Sequence, residues 1–199
     1  LSIENIAFDH ETSSNMSLED IDDILKSQAK VFVSIGRFSK EKGHLRLMNS
    51  FNRLWKGNPD IYLMIIGGYG PMYDETLSYV NKLDCRKHII IIKSLSNPYA
   101  FLKLCDYFVL SSFHEAFGLV LAEADILGVP VMSTDILGPK GFMEKHEGLL
   151  VANNEDGIYN GMKLMLENKV KPLGVDYEKY NQDVIKQLKM TLNLGKHGE

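Results

Sequence analysis

Cysteine, long apolar runs and basic stripes are all scarce in this 199-residue chain, and each scarcity disfavours a class of protein. The two cysteines, Cys85 and Cys105, have neither metal-ligand nor CxxC spacing, which fits a reducing, cytoplasmic compartment. No window approaches about 18 uninterrupted apolar residues, and no basic segment precedes an apolar one, so membrane spanning and secretion are disfavoured. The net charge of −4 comes from 22 basic and 26 acidic residues that are well mixed, so nucleic acid is not an expected partner.

Short runs rich in Val and Ile alternate with segments in which apolar residues recur three or four apart. Runs that are apolar throughout are typical of strands buried on both faces of a parallel sheet, and the recurring spacing is typical of helices. The alternation predicts an α/β fold, with a doubly wound, mostly parallel, six-stranded Rossmann-like sheet and helices on both faces. Strand runs lie at 31–35, 61–67, 88–93, 106–112 and 130–134.

The chain divides into three parts by composition. Residues 1–29 are expected to be a loosely structured lead-in with one short acidic helix, and residues 30–171 carry the strand and helix alternation. Residues 172–199 are expected to form a terminal helix and tail that pack elsewhere. The chain opens without a methionine, which we expect of a piece of a longer protein.

Ligands of doubly wound sheets gather at the carboxyl ends of the strands, so the loops there are the places to seek a site. In the loop SIGRFSKEKGHL, Gly36 allows a tight exit from the strand, and Arg37 and Lys42 lie five apart beside a helix start. Cations next to free helix NH groups make a good anion site, and a solvated basic loop is the alternative. A GxxxxGK[ST] phosphate loop is excluded, because Gly43 follows Lys42.

Two further loops give weaker signals. In IIGGYGPM, Gly67, Gly68 and Gly70 would let backbone approach a ligand, but Tyr73 stands where GxGxxG needs its third glycine. The alternative is a tight turn into a helix opened by Pro71, and the missing glycine disfavours a nicotinamide-dependent dehydrogenase. The segment VMSTDILGPKGFM, residues 131–143, predicts a flexible loop after a strand that is functional only by its location.

The stretch SSFHEAFGLVLAEAD places two carboxylates eight positions apart in an otherwise apolar segment. Gly118 is predicted at the start of a helix, where the backbone NH groups of Leu119 and Val120 are free to hold phosphate oxygens. Glu123 falls on an apolar stripe of that helix, where a carboxylate costs several kcal/mol unless something hydrogen-bonds to it. A sugar hydroxyl pair is one suitable partner, and an arginine or a backbone NH is the alternative. Glu115 lies in the preceding loop.

Four motifs, GRFSKEKG, GGYGP, SSFHEAFGLVLAEA and GVPV, occur in this order over about residues 31–168. Together they resemble the donor-binding, C-terminal half of retaining glycosyltransferases with the two-domain GT-B fold. This is family four, or glycosyl transferases group 1, which includes sucrose synthase and bacterial mannosyl- and glucosyltransferases. A finer resemblance is to modules associated with teichoic-acid-type polymer synthesis.

The resemblance implies a role for each matching residue. Arg37 and Lys42 would bind the donor diphosphate, Glu123 the ribose hydroxyls, and Glu115 the transferred sugar near its reacting carbon. The departing nucleotide would be stabilised by cations and helix NH groups, so no metal is expected, and a UDP-sugar is the expected donor. Further donor contacts are implied for Gly36, for the loop around Ser94 and Leu95, which would face the base, and for the NH groups of Gly118, Leu119 and Val120.

The family also implies what the rest of the protein does. A hexose would pass from a nucleoside-diphosphate sugar to a cell-envelope glycan, lipid or polymer, with the acceptor held by an N-terminal domain missing from this chain. The chain alone is then expected to bind nucleotide and transfer little or no sugar. A cytoplasmic enzyme and one associated peripherally with the inner face of the membrane both stay open. The alternatives are a sugar-nucleotide epimerase of similar architecture and a catalytically silent nucleotide-binding regulatory domain.

Overall fold

A computed structural model describes residues 8–12, 16–95 and 97–191, and its strands form one seven-stranded sheet. The strands are β1 Phe8–Thr12, β2 Lys30–Ile35, β3 Ile61–Ile66, β4 Ile89–Leu95, β5 Tyr107–Leu110, β6 Val131–Thr134 and β7 Leu149–Val151. Their order is β1-β4-β3-β2-β5-β6-β7. The six strands β2 to β7 pair in parallel, and β1 pairs antiparallel with β4. The predicted mostly parallel sheet is confirmed, and an antiparallel edge strand is added to it.

The added edge strand comes from the segment that was expected to be a loose lead-in. Phe8 in β1 pairs with Leu95 in β4, and Ile21 in the following helix is fully buried in the core. The expectation of loose structure is therefore wrong for Phe8–Thr12, whereas the short acidic helix expected in this segment is present at Leu18–Lys26. A five-residue, mostly polar strand gives little sequence signal, but it covers the exposed backbone groups of β4. The remainder of the lead-in, 1–7 and 13–15, and the end of the tail, 192–199, lie outside the described residues.

The helices follow the predicted periods closely, with two exceptions. The segment 131–143, predicted as a strand end and a flexible loop, includes the start of a helix at Leu137. Pro139 is compatible with this helix, because it lies in the first turn, where a proline interrupts no intrahelical hydrogen bond. The helix expected to open at Pro71 begins two residues later, at Tyr73. Within the described ranges, no helix is long and apolar enough to cross a bilayer. The helices are α1 Leu18–Lys26, α2 His44–Trp55, α3 Tyr73–Val80, α4 Pro98–Leu102, α5 Leu119–Ile126, α6 Leu137–Lys145, α7 Glu155–Leu166 and α8 Tyr177–Thr191.

Hydrophobic cores cover both faces of the sheet. Alternate residues of a strand point to opposite faces, so Leu63 and Ile65 join one core while Met64 and Ile66 join the other. Helices α2, α3 and α7 contribute buried residues to the first core, and α1, α4, α5 and α6 contribute to the second. Burial on both faces explains why these strands are apolar throughout rather than alternating.

The chain reverses its direction of winding beside β2, which pairs with β3 on one side and β5 on the other. From β2 the chain proceeds through β3 to β4, and after β5 it proceeds the other way to β6 and β7. The loops 36–43 and 111–118, which follow the two strands at this switch point, therefore lie side by side at the carboxyl edge of the sheet. Such a switch point is where open α/β sheets bind ligands.

The start of the terminal segment is held against α5 by a buried carboxylate. Asp125, 5% exposed, accepts hydrogen bonds from the backbone NH groups of Gly174 and Val175, at 2.9 and 3.1 Å. It also accepts one from the Tyr177 hydroxyl at 3.0 Å. The first part of the segment that was expected to pack elsewhere is therefore attached to this domain.

Candidate functional site

A cleft of about 280 Å³ lies at the switch point. Its walls come from the end of β2, the two loops that meet there and the first turns of α5. Both predicted glutamates, the predicted lysine and the predicted helix start are in one place. The lining residues are Ile35, Lys42, Glu115, Ala116, Phe117, Gly118, Leu119, Val120 and Glu123.

An ion pair between Lys42 and Glu115 crosses the cleft and joins the two loops. The side chains are 20% and 17% exposed, so the pair is largely shielded from solvent. The second carboxylate oxygen of Glu115 accepts from the NH of Ala116 at 3.2 Å. The stem of Lys42 runs over Gly36, where a Cβ atom would lie 3.1 Å from Lys42 Cδ and Cε. An anion entering the cleft would compete with Glu115 for the lysine.

Buried polar contacts fix the two loops to each other. The Ser111 hydroxyl donates to the carbonyl of Lys42 at 3.0 Å. Arg46, 6% exposed in the first turn of α2, donates from Nη2 to the carbonyls of Ser111 and Ser112 at 2.6 and 2.7 Å. Burial lowers the pKa of Arg46 to about 10, which leaves it a cation at neutral pH. Sequence reasoning missed this residue, and its only signal was an arginine immediately before the apolar stripe of α2.

A buried histidine holds the backbone of the first loop. Nε2 of His44 lies 3.2 Å from the carbonyl oxygens of Gly36 and of Arg37, and the residue is 4% exposed. Carbonyl oxygens only accept hydrogen bonds, so Nε2 carries the hydrogen. Burial lowers the pKa of His44 to about 4, so the ring is neutral at pH 7. His44 was also missed from the sequence, because a lone histidine at a helix start carries no specific pattern.

Four of the predicted site residues, Gly36, Arg37, Ser94 and Leu95, do not line this cleft. Arg37 is exposed, and its backbone carbonyl accepts hydrogen bonds from the His44 ring and from the NH of Ser39. Ser94 and Leu95 are the last residues of β4 rather than parts of a loop, and they pair with β1. Leu95 packs against the second core. Their roles in donor binding stay predictions.

The helix start predicted at Gly118 is confirmed. Gly118 adopts a left-handed conformation with φ of +69°, and α5 begins at Leu119 without a side-chain cap. The first NH used within the helix is that of Leu121, which donates to the carbonyl of Gly118 at 2.9 Å. The NH groups of Leu119 and Val120 precede it, at the end of the helix that carries partial positive charge. They border the same cleft as Lys42.

Glu123 does not lie on a buried apolar stripe, so that part of the sequence argument is wrong. Ile126, three residues further on, is 62% exposed, and Glu123 itself is only partly buried on the wall of the open cleft. Its negative charge raises the pKa of the neighbouring Tyr99. The same tyrosine is hydrogen-bonded to Glu123, so a ligand that binds this carboxylate would share or replace the contact with Tyr99. The residues of α5 that are buried are Leu121, Ala124 and Asp125.

Two of the glycines after β3, Gly67 and Gly70, allow close packing against the 36–43 loop. A Cβ atom at Gly67 would lie 2.6 Å from the carbonyl oxygen of Gly36 and 2.7 Å from the ring of Phe38. A Cβ atom at Gly70 would collide with the backbone of Phe38, which is fully buried. Both glycines therefore let the 36–43 loop, with its buried Phe38, lie against the loop that follows β3. Close packing therefore gives both glycines a structural role, whereas the predicted approach of a ligand to this loop stays a prediction.

Comparison with known proteins identifies relatives over most of the chain. The family model described as Glycosyl transferases group 1 matches residues 18–186. An N-acetylgalactosamine-N,N'-diacetylbacillosaminyl-diphospho-undecaprenol 4-alpha-N-acetylgalactosaminyltransferase from Campylobacter jejuni is 33% identical over 165 residues, which are 81% of this chain and 43% of that protein. A UDP-Gal:alpha-D-GlcNAc-diphosphoundecaprenol alpha-1,3-galactosyltransferase from Escherichia coli is 26% identical over 150 residues, 73% of this chain and 39% of that protein.

The fold agrees with these relatives. The crystal structure of TarM superposes with a TM-score of 0.68 at 22% identity, over 84% of this chain and 35% of that one. At this identity the likeness shows the fold, which is the Rossmann-like architecture predicted from the sequence. The chain spans less than half the length of each of these three proteins. Because the family model covers most of its length, the chain belongs to the family of glycosyl transferases group 1.

Proposed function

We propose that the cleft binds the nucleoside-diphosphate part of a nucleotide-sugar donor, and that the whole protein transfers a hexose from it with retention of configuration. One observation carries the proposal: Lys42, Glu115, Glu123 and the uncapped start of α5 line a single cleft at the switch point. The names of the relatives agree with it, since one uses UDP-Gal and both act on diphospho-undecaprenol-linked sugars.

The diphosphate would sit between Lys42 and the first NH groups of α5. Lys42 is paired with Glu115, so donor binding would exchange one anionic partner for another. That exchange releases the Glu115 carboxylate to accept from hydroxyls of the transferred sugar. When the glycosidic bond breaks, charge builds on the departing phosphate, where the lysine and the helix NH groups stabilise it. This chemistry proceeds without a divalent metal.

The ribose would lie further along the helix, at Glu123. About five residues separate the helix start from Glu123, which is a rise of roughly 7.5 Å and suits a ribose attached to a diphosphate held at the start. The exposed Arg37 side chain would reach the diphosphate from the outer side of the first loop. The base would extend toward the end of β4, at Ser94 and Leu95, with a UDP-sugar as the preferred donor.

The acceptor would be held by an additional N-terminal domain of the full-length protein. The proposed acceptors are lipid-linked or polymeric glycans of the bacterial cell envelope, including teichoic-acid-type polymers. Transfer to such acceptors would place the full-length enzyme at the inner face of the membrane, by peripheral association. The chain described here would bind donor nucleotide and transfer little or no sugar by itself.

Thermal unfolding with nucleotides tests the donor site. The melting temperature of the chain is measured with UDP, GDP, CDP and ADP, each with Mg²⁺ and with EDTA. The variants are Glu123→Ala and Arg37→Ala. Their matched controls are Glu144→Ala, on the exposed side of α6, and Arg86→Ala, an exposed arginine before the amino end of β4.

Ligand at 100 times its Kd adds about 2.7 kcal/mol to the free energy of unfolding, which raises the melting temperature by roughly 5 to 10 °C for a domain of this size. We expect this shift to be largest with UDP, equal in Mg²⁺ and EDTA, reduced in both cleft variants and unchanged in both controls. The absence of any shift, or equal shifts in parent and cleft variants, would show that the cleft is not the donor site.

A further inference from the structure

Tyr99 stands beside the cleft at the switch point and contacts one of its walls from outside. It is the second residue of α4, and it is 45% exposed. Its hydroxyl is hydrogen-bonded to Glu123, the partly buried carboxylate of α5 that lines the cleft. The tyrosine belongs to none of the four sequence motifs, and the sequence predicted no role for it.

The helix that carries this tyrosine is anchored against α5 by packing. Phe101 and Leu102 of α4 are fully buried in the second core, to which α5 contributes Leu121, two residues before Glu123. A helical turn fixed by two buried side chains presents its other residues in a defined direction. The packing of α4 therefore holds Tyr99 next to Glu123, and the position of the tyrosine does not depend on the hydrogen bond alone.

The tyrosine hydroxyl is the donor in this contact, because an ionised carboxylate only accepts hydrogen bonds. The negative charge of Glu123 raises the pKa of Tyr99, so the phenol keeps its proton at neutral pH. A carboxylate has two oxygens with about four acceptor positions in all. One bond from Tyr99 leaves positions for a ligand, so Glu123 can hold the tyrosine and a pair of ligand hydroxyls together.

A carboxylate that accepts from two neighbouring hydroxyls must present its oxygens in a definite orientation. Glutamate is among the side chains that lose most rotamer freedom when they are fixed, and that loss weakens binding. A partner that restrains Glu123 in advance lowers this cost. Tyr99 can supply the restraint, because it donates from an anchored helix that begins three residues after the end of β4.

We propose that Tyr99 is a positioning residue for the ribose of the donor, and that it orients the Glu123 carboxylate toward the two ribose hydroxyls. The inference rests on the proposed function, which assigns the ribose to Glu123. It adds a residue that acts through this carboxylate. The contribution of the Tyr99 hydroxyl should therefore depend both on Glu123 and on the hydroxyls of the ribose.

Isothermal titration calorimetry of the chain with UDP and with 2′-deoxy-UDP tests this role. The variant is Tyr99→Phe, which removes the hydroxyl and keeps the ring at a half-exposed position, so the fold is not threatened. Its matched control is Tyr159→Phe, on α7, a helix that contributes no residue to the cleft. We expect Tyr99→Phe to weaken UDP binding about three- to tenfold, to weaken 2′-deoxy-UDP binding less, and the control to bind like the parent.

A second background separates this role from a general effect on the domain. In Glu123→Ala, the further change Tyr99→Phe should leave UDP binding unaltered, because the carboxylate through which the tyrosine acts is gone. An equal loss in both backgrounds, an equal loss with UDP and 2′-deoxy-UDP, or unchanged or tighter UDP binding in Tyr99→Phe would each overturn the proposal. No binding of either nucleotide by the parent would instead refute the donor cleft, and the role of Tyr99 with it.

The contact itself is measured without nucleotide, by following the ring resonances of labelled tyrosine as the pH is raised. We expect Tyr99 to titrate above the ordinary pKa of a tyrosine in the parent, and nearer to that value in Glu123→Gln, where the negative charge is absent. The same midpoint in both proteins would show that the hydroxyl does not depend on Glu123. That result would refute the positioning role even if the chain bound UDP.

Discussion

Replacing Glu115 by glutamine should strengthen the binding of a free nucleoside diphosphate, although the residue is itself proposed to serve in sugar transfer. Glu115 is the anionic partner of Lys42 across the cleft. A diphosphate must take the lysine from it or share the lysine with a carboxylate that repels the phosphates. Glu115→Gln removes the negative charge and keeps the shape and a hydrogen-bonding oxygen.

The magnitude follows from where the pair lies. Exposed ion pairs contribute roughly 0.2 to 1 kcal/mol, whereas two charges 4 Å apart interact by about 4 kcal/mol at an effective dielectric constant of 20. The side chains of Lys42 and Glu115 are 20% and 17% exposed at the edge of an open cleft, which is between these limits. We therefore expect Glu115→Gln to make the free energy of UDP binding more favourable by about 1 to 2 kcal/mol. This corresponds to a decrease in the Kd for UDP of roughly 5- to 30-fold.

Isothermal titration calorimetry with UDP, at low and at high salt, measures the effect. UDP lacks the sugar, so no contact between Glu115 and a sugar hydroxyl complicates the result. Glu123→Gln is the matched control, because it neutralises the other carboxylate of the cleft and should weaken binding by about tenfold through loss of the ribose contact. If Glu115→Gln bound UDP no better than the parent, competition for Lys42 would not govern the affinity of the cleft.

Three further predictions concern stability. Burial lowers the pKa of His44 to about 4 from 6.5, so the unfolded chain binds the extra proton between these values. Stability should thus fall as the pH drops through that window, by about 3 kcal/mol in all, and His44→Gln should lack this component in urea unfolding. Gly138→Ala should destabilise the fold by about 2 kcal/mol or more, because its Cβ atom would meet carbonyl oxygens of the 111–118 loop. Gly141→Ala is the control in the same helix, and with open space around it this variant should be neutral or stabilising in thermal unfolding. Asp125→Ala should cost about 3 kcal/mol and expose residues 172–176 to protease, since it leaves three donors unpaired.

The sequence predicted the sheet and its site loops because local patterns determine both. Runs that are apolar throughout specify buried parallel strands, and the end of the run at 31–35 shows where the first ligand loop begins. The run at 106–112 located the second loop less closely, because β5 ends two residues earlier, at Leu110. The helix start at Gly118 was readable for the same reason, since a glycine before an apolar period marks a helix boundary without reference to the rest of the fold. The short strand β1 could not be predicted from the sequence, because a polar edge strand has no apolar pattern of its own and is defined by the strand with which it pairs.

The sequence alone therefore determined the fold class and most of the cleft residues: the apolar periods, the glycines at element ends and two unusual carboxylates are all local features. Tertiary structure decided which of those features meet. The pairing of β2 with β5 brings Lys42 to Glu115 across 73 positions of chain. The tertiary structure also shows that the buried carboxylate of α5 is Asp125 and not Glu123. Burial depends on which face of the helix the sheet and the terminal segment cover. Periodicity gives the faces of a helix, but only packing decides which of them is inside.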